Sequence, residues 1–204
     1  MRVLSLCDYT GNMVRPWLDA GHEATIVDLQ HPAGEHGDGL LTRVGASVLE
    51  WRPSGAYDVV FAFPPCTDLA VSGARHFASK GPERLKTALQ VVLGCMEIVM
   101  QSGAPAWAVE NPVSRLATYW RKPDYTFDPW EYGGYLDPVG DRYSKRTCLW
   151  TSVAFRMPMK RPVHPSEGSK MHRMGPSKER ANLRSATPMG FAQAVYEANC
   201  KGRT

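Results

Sequence analysis

The sequence has few cysteines, and they are not spaced as zinc ligands or as a dense disulfide framework. The five cysteines are an odd number and lie far apart, at positions 7, 66, 95, 148 and 200. This usage is typical of a reducing compartment rather than of a small secreted domain. Long apolar runs are missing as well: the longest, residues 91–100, contains Glu97 and is far shorter than the roughly 20 residues that cross a bilayer. We therefore expect neither a disulfide scaffold nor a membrane protein.

A secretory signal is also missing, because the apolar run that follows Arg2 ends at Asp8. Together with the cysteine usage, this favours a cytoplasmic protein. The chain has 204 residues, of which 43% are apolar and 22% are charged, and these are ordinary values for a globular protein. We expect a single domain over residues 1–204 with a sizeable core.

The excess positive charge is concentrated in one segment, residues 156–184, which we call the basic segment. It contains eight basic and two acidic side chains, whereas the other 175 residues contain 16 basic and 18 acidic ones. It has no clear hydrophobic period, which predicts a long loop or an irregular insertion. Loops of this kind neutralise nucleic-acid phosphates, but a solvated loop without a partner fits the pattern equally well.

Short apolar runs alternate with helical periods along the chain. The predicted strands are residues 2–6, 24–29, 57–63, 106–109 and 147–153, and the predicted helices are residues 13–20, 83–101 and 186–199. Residues 31–39, which are rich in glycine and histidine, are predicted to form a loop. Strands that alternate with helices indicate an α/β doubly wound fold with a mostly parallel sheet.

Polar residues follow the predicted parallel strands, at the ends where ligands bind in such folds. These positions are residues 8–12, Asp28, residues 64–68 and residues 110–112. We expect them to line one site. An acid such as Asp28 is suited to a ribose diol, although the turn at residues 8–12 has a single glycine where a nucleotide-binding turn usually has several.

Two of these positions have side chains suited to catalysis. Cys66 follows Pro64 and Pro65 directly after a buried strand, so the backbone leaves the sheet and presents the thiol at its edge. Glu110 ends another buried strand, where a partly desolvated carboxyl could share a proton with a ring nitrogen. The alternatives are a thiol that only packs in the core and a carboxylate that only interacts with a helix dipole.

Several of these features match the motifs of one family. The segment DVVFAFPPC, residues 58–66, followed by Ser72, resembles the catalytic loop of DNA cytosine-5 methyltransferases, where an apolar strand leads into a Pro-Cys nucleophile. The segment WAVEN, residues 107–111, is similar to the Glu-Asn motif of that family. Residues 144–150, SKRTCLW, look like its arginine-bearing strand, and residues 185–194 look like the segment that completes its cofactor pocket. The small size suggests the compact methylase-like proteins of bacteriophages.

The resemblance implies a Rossmann-like S-adenosylmethionine-dependent methyltransferase fold and the transfer of a methyl group to C5 of cytosine in DNA. Cys66 would add to C6 of the base, Glu110 would hydrogen-bond N3 and the exocyclic amine, and Arg146 would hold the base carbonyl or an adjacent phosphate. Because C6 is inaccessible inside a duplex, the nucleotide would be flipped out or single-stranded. The implied location is the cytoplasm of a bacterium or of a phage-infected cell.

The resemblance also implies residues that bind the cofactor and the nucleic acid. S-adenosyl-L-methionine would contact Asp8, Thr10, Gly11, Asn12, Asp28, Asp38 and Phe63. Within this set, Asp28 would bind the ribose and Asp38 the adenine amine. Trp17 is a further candidate to stack on the cofactor, although core packing is an equally good interpretation of Trp17 and Phe63. DNA would contact Pro65, Ser72, Arg75, Asn111, Lys170, Arg173 and Lys178. No metal ion is implied.

The chain departs from the family at several positions. The turn at residues 8–12 lacks the Phe-x-Gly-x-Gly pattern, Pro112 stands where a valine is usual, and Ser144 stands where an arginine is usual. The basic segment occupies the position of a large target-recognition domain, so a partner protein or a second copy of the chain is a candidate for that role. The alternative functions are the same chemistry on a free pyrimidine nucleotide or on RNA, and a degenerate methylase fold that only binds nucleic acid.

Overall fold

The computed structural model of the chain describes residues 1–71, 77–169, 175, 177 and 180–200. Within them, the strands are β1 Arg2–Leu6, β2 Glu23–Val27, β3 Gly34–Asp38, β4 Leu41–Gly45, β5 Val59–Ala62, β6 Ala106–Pro112, β7 Tyr125–Phe127 and β8 Thr147–Thr151. The α-helices are α1 Arg15–Asp19, α2 Phe77–Gln101, α3 Leu116–Tyr119, α4 Arg180–Ser185 and α5 Met189–Cys200. None of these helices is long and apolar enough to span a membrane.

The strands form one sheet in the order β3-β4-β2-β1-β5-β6-β8-β7. The central strands β4, β2, β1, β5 and β6 are parallel, whereas β3 is antiparallel to β4, and β8 is antiparallel to β6 and β7. The chain starts in the middle of the sheet, builds one half through β2 and β4, and then builds the other half from β5. This arrangement confirms the predicted doubly wound, Rossmann-like fold. The strand order reverses between β1 and β5, which is the position where such sheets bind ligands.

The central strands are buried on both faces of the sheet. On one face, Phe61 of β5 belongs to a core cluster with Trp17 of α1 and Phe191 of α5. On the other face, Val60 of β5 belongs to a cluster with Ile98 of α2. The continuous apolar run of β5 therefore reflects burial on both sides, as the sequence predicts.

Helix α2 begins before the predicted residue 83. It spans Phe77–Gln101, but Gly81 has φ +74°, so the helical geometry is interrupted immediately before Pro82. A proline is tolerated in the first turn of a helix, where its missing N–H has no partner to lose. The long regular part of the helix therefore starts close to the predicted position.

The segment 31–39 is part of a hairpin rather than the predicted loop. Strands β3 and β4 pair antiparallel, with Gly34 opposite Gly45 and Asp38 opposite Leu41. All five residues of β3 are exposed, so the strand lacks the alternation of apolar and polar residues that marks a half-buried strand. The loop prediction was wrong because an exposed edge strand has no apolar face.

Strand β6 continues to Pro112 instead of ending at Val109. Strand β8 runs antiparallel beside its last residues, with Leu149 opposite Glu110. Because β5 ends opposite Val109, Glu110 and Asn111 extend beyond the carboxyl end of β5 while remaining paired with β8. The residues predicted to follow the strand therefore belong to it.

The basic segment has no strand among its described residues, but helix α4 begins inside it at Arg180. Strand β7 and helix α4 contain three and six residues, which is too short to give a periodic signal in the sequence. The other predicted strands and helices lie within three residues of their observed bounds.

Candidate active site

The residues that follow β1 and β2 meet at the carboxyl edge of the sheet. Leu6 of β1 lies opposite Val27 of β2, and the N–H of Asp8 donates a hydrogen bond to the Val27 carbonyl (3.3 Å). Burial raises the pKa of the Asp8 carboxyl, and the negative charge of Asp28 adds to the rise. Asp8 and Asp28 are therefore neighbours, as expected for a cofactor-binding edge.

The Asp8 carboxylate organises the turn that follows β1. It accepts hydrogen bonds from Ser5 Oγ (2.7 Å), the Gly11 N–H (2.8 Å) and Thr10 Oγ1 (3.2 Å). Gly11 has φ +68°, and a Cβ there would also meet Ile26 Cδ1 at 3.4 Å. One carboxylate thus holds the turn that several glycines form in related nucleotide sites.

Asn12 connects this turn to the C-terminal part of the chain. Its Nδ2 donates a hydrogen bond to the carbonyl of Thr187 (3.0 Å), and Thr187 is buried just before α5. The two segments that the sequence assigns to the cofactor pocket, residues 8–12 and 185–194, are therefore in direct contact.

Asp28 and Leu29 present a carboxylate beside an exposed apolar side chain. The N–H of Gln30 donates to Asp28 Oδ1 (2.8 Å), which fixes the turn, and Leu29 is 75% exposed. Sequence analysis missed Leu29, because the exposure of a single loop residue leaves no periodic signal. The pair offers an acceptor for hydroxyl groups and an apolar side chain for a flat ring.

Asp38 does not belong to this edge. It lies opposite Leu41, which in turn lies opposite Ala24 near the start of β2, whereas Asp28 follows the end of β2. Its contact with Arg43 (3.9 Å) is exposed to solvent. The β3–β4 hairpin therefore corrects the assignment of Asp38 to the adenine amine, since it carries this side chain to the amino edge of the sheet.

Phe63 lies at the carboxyl edge, but Trp17 does not. The Phe63 N–H donates to the carbonyl of Leu6 (2.9 Å), and Phe63 is partly buried. Trp17 is fully buried and packs against Phe61 and Tyr196. Trp17 is therefore a core residue, and Phe63 remains a candidate cofactor contact.

The loop that follows β5 is fastened to β6. Asn111 is buried, and its Nδ2 donates a hydrogen bond to the carbonyl of Pro64 (3.0 Å). The Cys66 carbonyl accepts a hydrogen bond from the Leu69 N–H (3.0 Å), which closes a tight turn directly after the two prolines. Pro65 is exposed and Cys66 is partly buried, so the free thiol lies at the rim of the sheet.

The Cys66 thiol lies close enough to the Glu110 carboxyl for the two to interact electrostatically. Burial raises the pKa of the thiol and the charge of Glu110 raises it further, whereas Lys145 and Arg184 lower it. The structure thus brings the predicted nucleophile and the predicted acid to one place. It adds two cations that the sequence analysis did not select.

Glu110 has a buried oxygen that is not satisfied by the described residues. Its Oε1 is inaccessible to solvent and has no hydrogen-bond partner among them. Burial raises the pKa of the carboxyl, and Lys145 opposes that rise. Buried polar atoms are nearly always hydrogen-bonded, so an unpartnered one beside a partly buried thiol is a candidate ligand position. The raised pKa favours the protonated carboxyl, which can donate to a ring nitrogen.

Arg146 is bound to Asp128 rather than to the reactive pair. Its Nη1 lies 3.3 Å from Asp128 Oδ2, and its side chain is 56% exposed. The cation that interacts with both Cys66 and Glu110 is its neighbour Lys145. Arg146 is therefore paired with Asp128, and its expected contact with the base stays a prediction.

Helix α4 brings part of the basic segment to the same edge. The side-chain amides of Gln30 and Asn182 exchange two hydrogen bonds (3.2 and 2.9 Å), so α4 contacts the loop after β2. Arg184 of this helix interacts with Cys66. Five predicted nucleic-acid contacts lie outside the described residues: Ser72, Arg75, Lys170, Arg173 and Lys178.

Comparisons with protein families, curated proteins and solved structures find a match only among the solved structures. No protein-family model matches the chain, and no curated protein matches its sequence significantly. Among solved structures, the chain is similar to an E. coli prophage protein provisionally named a DNA modification methyltransferase, with a TM-score of 0.51 and 13% identity. The match covers 80% of this chain and 53% of that protein, so the chain spans about half of its length. The likeness confirms the Rossmann-like fold, which this chain shares with that structure.

Two further solved structures are similar at a lower level. One is the 16S rRNA methylase RmtB, with a TM-score of 0.34, 14% identity, and coverage of 74% of this chain and 55% of that one. The other is DhpI in complex with SAH, with a TM-score of 0.33, 15% identity, and coverage of 81% and 62%. Scores of this size support no inference about activity. In the parts of the chain that the structure describes, no group of three or more acidic, histidine or cysteine side chains could hold a metal ion.

Proposed function

We propose that the protein transfers a methyl group from S-adenosyl-L-methionine to C5 of cytosine in DNA, through a covalent bond between Cys66 and C6 of the base. One observation carries the proposal: Oε1 of Glu110 is buried beside Cys66 and has no hydrogen-bond partner among the described residues. Cytosine has the complementary groups, because its N3 accepts a hydrogen bond and the adjacent exocyclic amine donates one. A protonated carboxyl can bind both groups at once.

Cys66 acts as the nucleophile in its thiolate form. Burial and Glu110 oppose ionisation of the thiol, while Lys145 and Arg184 favour it. The thiolate electron pair forms the sulfur–C6 bond, the electrons of the C5–C6 double bond move into the ring, and N3 takes the proton of Glu110. This proton neutralises the charge that develops in the ring, and C5 becomes a nucleophilic enamine carbon.

The carboxyl edge fits S-adenosyl-L-methionine as the cofactor. The carboxylate of Asp28 is suited to the ribose hydroxyls, the exposed side chain of Leu29 to the adenine ring, and the turn that contains Gly11 to the methionine end. When bound, the cofactor supplies an electrophilic methyl group, which C5 takes up with release of S-adenosylhomocysteine. Phe63 borders this position, and Asn12 fastens the turn to the segment before α5.

The reaction ends with the loss of the C5 proton and of the sulfur–C6 bond. A solvent water takes the C5 proton, the electron pair of the C5–H bond restores the ring double bond, and the Cys66 thiolate leaves with the electrons of the sulfur–C6 bond. Glu110 takes back the proton from N3, so both side chains return to their starting states. A raised carboxyl pKa suits Glu110 for this exchange with a ring nitrogen.

DNA is the proposed substrate for two reasons. The similar E. coli prophage protein bears the name of a DNA modification methyltransferase, and the basic segment 156–184 is suited to phosphates. The target nucleotide would be flipped out of a duplex or be single-stranded. We propose the cytoplasm of a bacterium or a phage-infected cell as the setting. A partner protein or a second copy of the chain would extend target recognition, since the basic segment is short.

The test is to incubate the protein with S-adenosylmethionine labelled on the methyl group and four substrates: double-stranded DNA, single-stranded DNA, RNA and dCMP. We expect label in DNA and its recovery as 5-methylcytosine after digestion. Label in RNA or dCMP alone would keep the chemistry and change the substrate. Label on another atom of the base, or binding of DNA without transfer, would contradict the proposal.

A further inference from the structure

We propose that Lys145 is the catalytic cation of this site, donating a hydrogen bond to the carbonyl oxygen O2 of the cytosine and stabilising negative charge on the Cys66 sulfur. This inference rests on the proposed function and gives Lys145 the role that the family resemblance gives to Arg146. The two residues are neighbours in the chain with different partners, so two single substitutions can decide between them.

Lys145 lies two residues before β8, which pairs with the strand that carries Glu110. Leu149 lies directly opposite Glu110, and Thr147 lies opposite Pro112, so the segment that leads into β8 arrives beside the end of β6. Lys145 is partly buried there, whereas its neighbour Arg146 is exposed.

Arg146 is held elsewhere by an ion pair. Its partner Asp128 has a side chain that is only 14% exposed, and the Asp128 N–H donates a hydrogen bond to Glu131 Oε2 (2.9 Å). Asp128 and Glu131 together form the capping box of the 3₁₀ turn Pro129–Glu131. Arg146 would have to leave a fixed carboxylate to reach the base.

Lys145 is the cation shared by the two reactive side chains. The other ionisable groups that interact with Cys66 or Glu110 include Arg184, Tyr143 and Cys148. The charge of Lys145 lowers the pKa of the Cys66 thiol and also opposes the raised pKa of the Glu110 carboxyl. Arg184 acts on Cys66 from helix α4, on the other side of the edge.

The chemistry requires a donor at O2. Addition of the thiolate to C6 moves negative charge toward both N3 and O2 of the ring. Glu110 serves N3, and the ammonium of Lys145 offers three N–H donors and a positive charge for O2. A charge that is partly shielded from water stabilises such a transition state more than a solvated one does. Lys145 donates a hydrogen bond and transfers no proton, so the balance of the reaction is unchanged.

The first test measures the Cys66 thiol without any methyl transfer. The rate of alkylation of Cys66 by iodoacetamide is followed by peptide mass spectrometry from about pH 6 to about pH 10, a range that spans the usual thiol pKa. The proteins are the wild type, Lys145→Gln and Arg146→Gln. Loss of the Lys145 charge raises the thiol pKa, so the profile of Lys145→Gln moves to higher pH while that of Arg146→Gln does not. A Lys145→Gln profile equal to the wild type overturns the proposal.

The second test compares methyl-transfer kinetics of the same proteins. Lys145→Gln should lower kcat about 100-fold with little change in the KM for DNA, because a donor to the developing charge is lost. Lys145→Arg should recover part of that loss, and the rising limb of the pH–rate profile should move to higher pH in Lys145→Gln. A larger loss in Arg146→Gln than in Lys145→Gln would overturn the assignment.

Two measurements keep these outcomes distinct. Thermal unfolding of each variant shows whether a substitution has damaged the fold. If Lys145→Gln fails to fold, the conservative Lys145→Arg variant tests the proposal instead. It must keep the wild-type alkylation profile and part of the methyl transfer. A wild-type protein that methylates none of the four substrates removes the proposed function. The alkylation profiles would still decide whether the charge of Lys145 lowers the pKa of the Cys66 thiol.

Discussion

The amino edge of the sheet satisfies its polar groups internally, in contrast to the carboxyl edge. At the amino edge, the Arg2 N–H donates to Asp58 Oδ2 (2.8 Å), and the Arg2 guanidinium donates to the carbonyl of Ala56 (2.8 Å). The guanidinium also lies over the ring of Tyr57, whose hydroxyl donates to Thr25 Oγ1 (3.1 Å). A cavity of about 280 Å³ opens there, lined in part by these residues.

At the carboxyl edge, buried polar atoms are left without a partner among the described residues. These atoms are Oε1 of Glu110, Oδ1 of Asn111 and, on helix α4, Nε of Arg180. The chain also bends sharply there, since Cys7 has φ +54° and Gly11 has φ +68°. The contrast is between a cavity lined by hydrogen-bonded polar groups and an edge where unpartnered buried groups lie next to a thiol, and the second is the site that we propose.

The largest expected effect is the loss of the nucleophile at the carboxyl edge. Cys66→Ala should lower methyl transfer by at least about 10⁴-fold, because no other group can form the bond to C6. DNA binding should persist, since the substitution removes no positive charge. Transfer is measured with labelled S-adenosylmethionine and binding by fluorescence anisotropy.

The matched control for this substitution is another partly exposed cysteine. Cys200 lies at the end of α5, with its sulfur 3.2 Å from His22 Nε2. Cys200→Ala should keep full activity. Substantial methyl transfer by Cys66→Ala, or equal losses in Cys66→Ala and Cys200→Ala, would show that Cys66 is not the nucleophile.

A smaller loss is expected when the unpartnered carboxyl is made neutral. Glu110→Gln keeps the shape but cannot deliver a proton to N3, so kcat should fall about 10²- to 10³-fold. The exposed Glu97 of α2, which pairs with Arg52, gives the control Glu97→Gln, with unchanged kcat. An unchanged kcat in Glu110→Gln would mean that the buried oxygen has no part in the reaction.

The same substitution should change the pH dependence of stability. The pKa of Glu110 is raised in the folded protein, so the folded state binds the proton more tightly than the unfolded state does. Its contribution to stability is present below the unfolded pKa and is lost as pH rises through the folded pKa. Thermal unfolding at several pH values should therefore give a smaller decline with rising pH in Glu110→Gln than in the wild type.

Substitution of one aspartate at each edge of the sheet should affect the affinity for S-adenosylmethionine differently. Asp28→Asn should weaken S-adenosylmethionine binding about tenfold or more, because a charged acceptor for hydroxyl groups is lost. Asp38→Asn, at the amino edge, should bind normally. Isothermal titration calorimetry measures both. Equal losses of affinity in the two variants would mean that the β3–β4 hairpin reaches the cofactor. Normal affinity in both variants would exclude Asp28 as a cofactor-binding residue.

The smallest effect is expected at the amino edge itself. Tyr57→Phe removes the hydrogen bond to Thr25 and should lower the free energy of unfolding by about 1 kcal/mol. Methyl transfer should remain unchanged, because the group is part of a satisfied network. Urea unfolding and a transfer assay measure the two quantities, and a marked loss of transfer would contradict the contrast between the edges.

The parallel core of the fold and the ends of its strands could be predicted from the sequence. The strand at residues 59–62 is apolar throughout because both faces are buried, and Cys66 follows two prolines that force the chain out of the sheet. Asp8 and Asp28 follow their strands at once, so the parallel arrangement alone brings them together.

The remaining parts depend on pairing between distant segments. Asp38 belongs to an exposed edge strand with no apolar face, so its hairpin and its position at the amino edge leave no pattern in the sequence. The choice between Lys145 and Arg146 depends on the pairing of β8 with β6, which brings the preceding segment beside Glu110, and on an ion pair between Arg146 and Asp128. Adjacent basic residues look equivalent in a sequence, and only these long-range contacts separate them.

The most direct test of the central claim is to map a trapped adduct on DNA that contains 5-fluorocytosine and that the protein methylates in its unmodified form. Fluorine at C5 cannot leave as the proton does, so the sulfur–C6 bond persists after methyl transfer. The account predicts a complex stable to denaturation whose cross-linked peptide contains Cys66, together with its absence in Cys66→Ala. An adduct on another cysteine, or efficient methylation of cytosine without any adduct, would contradict it.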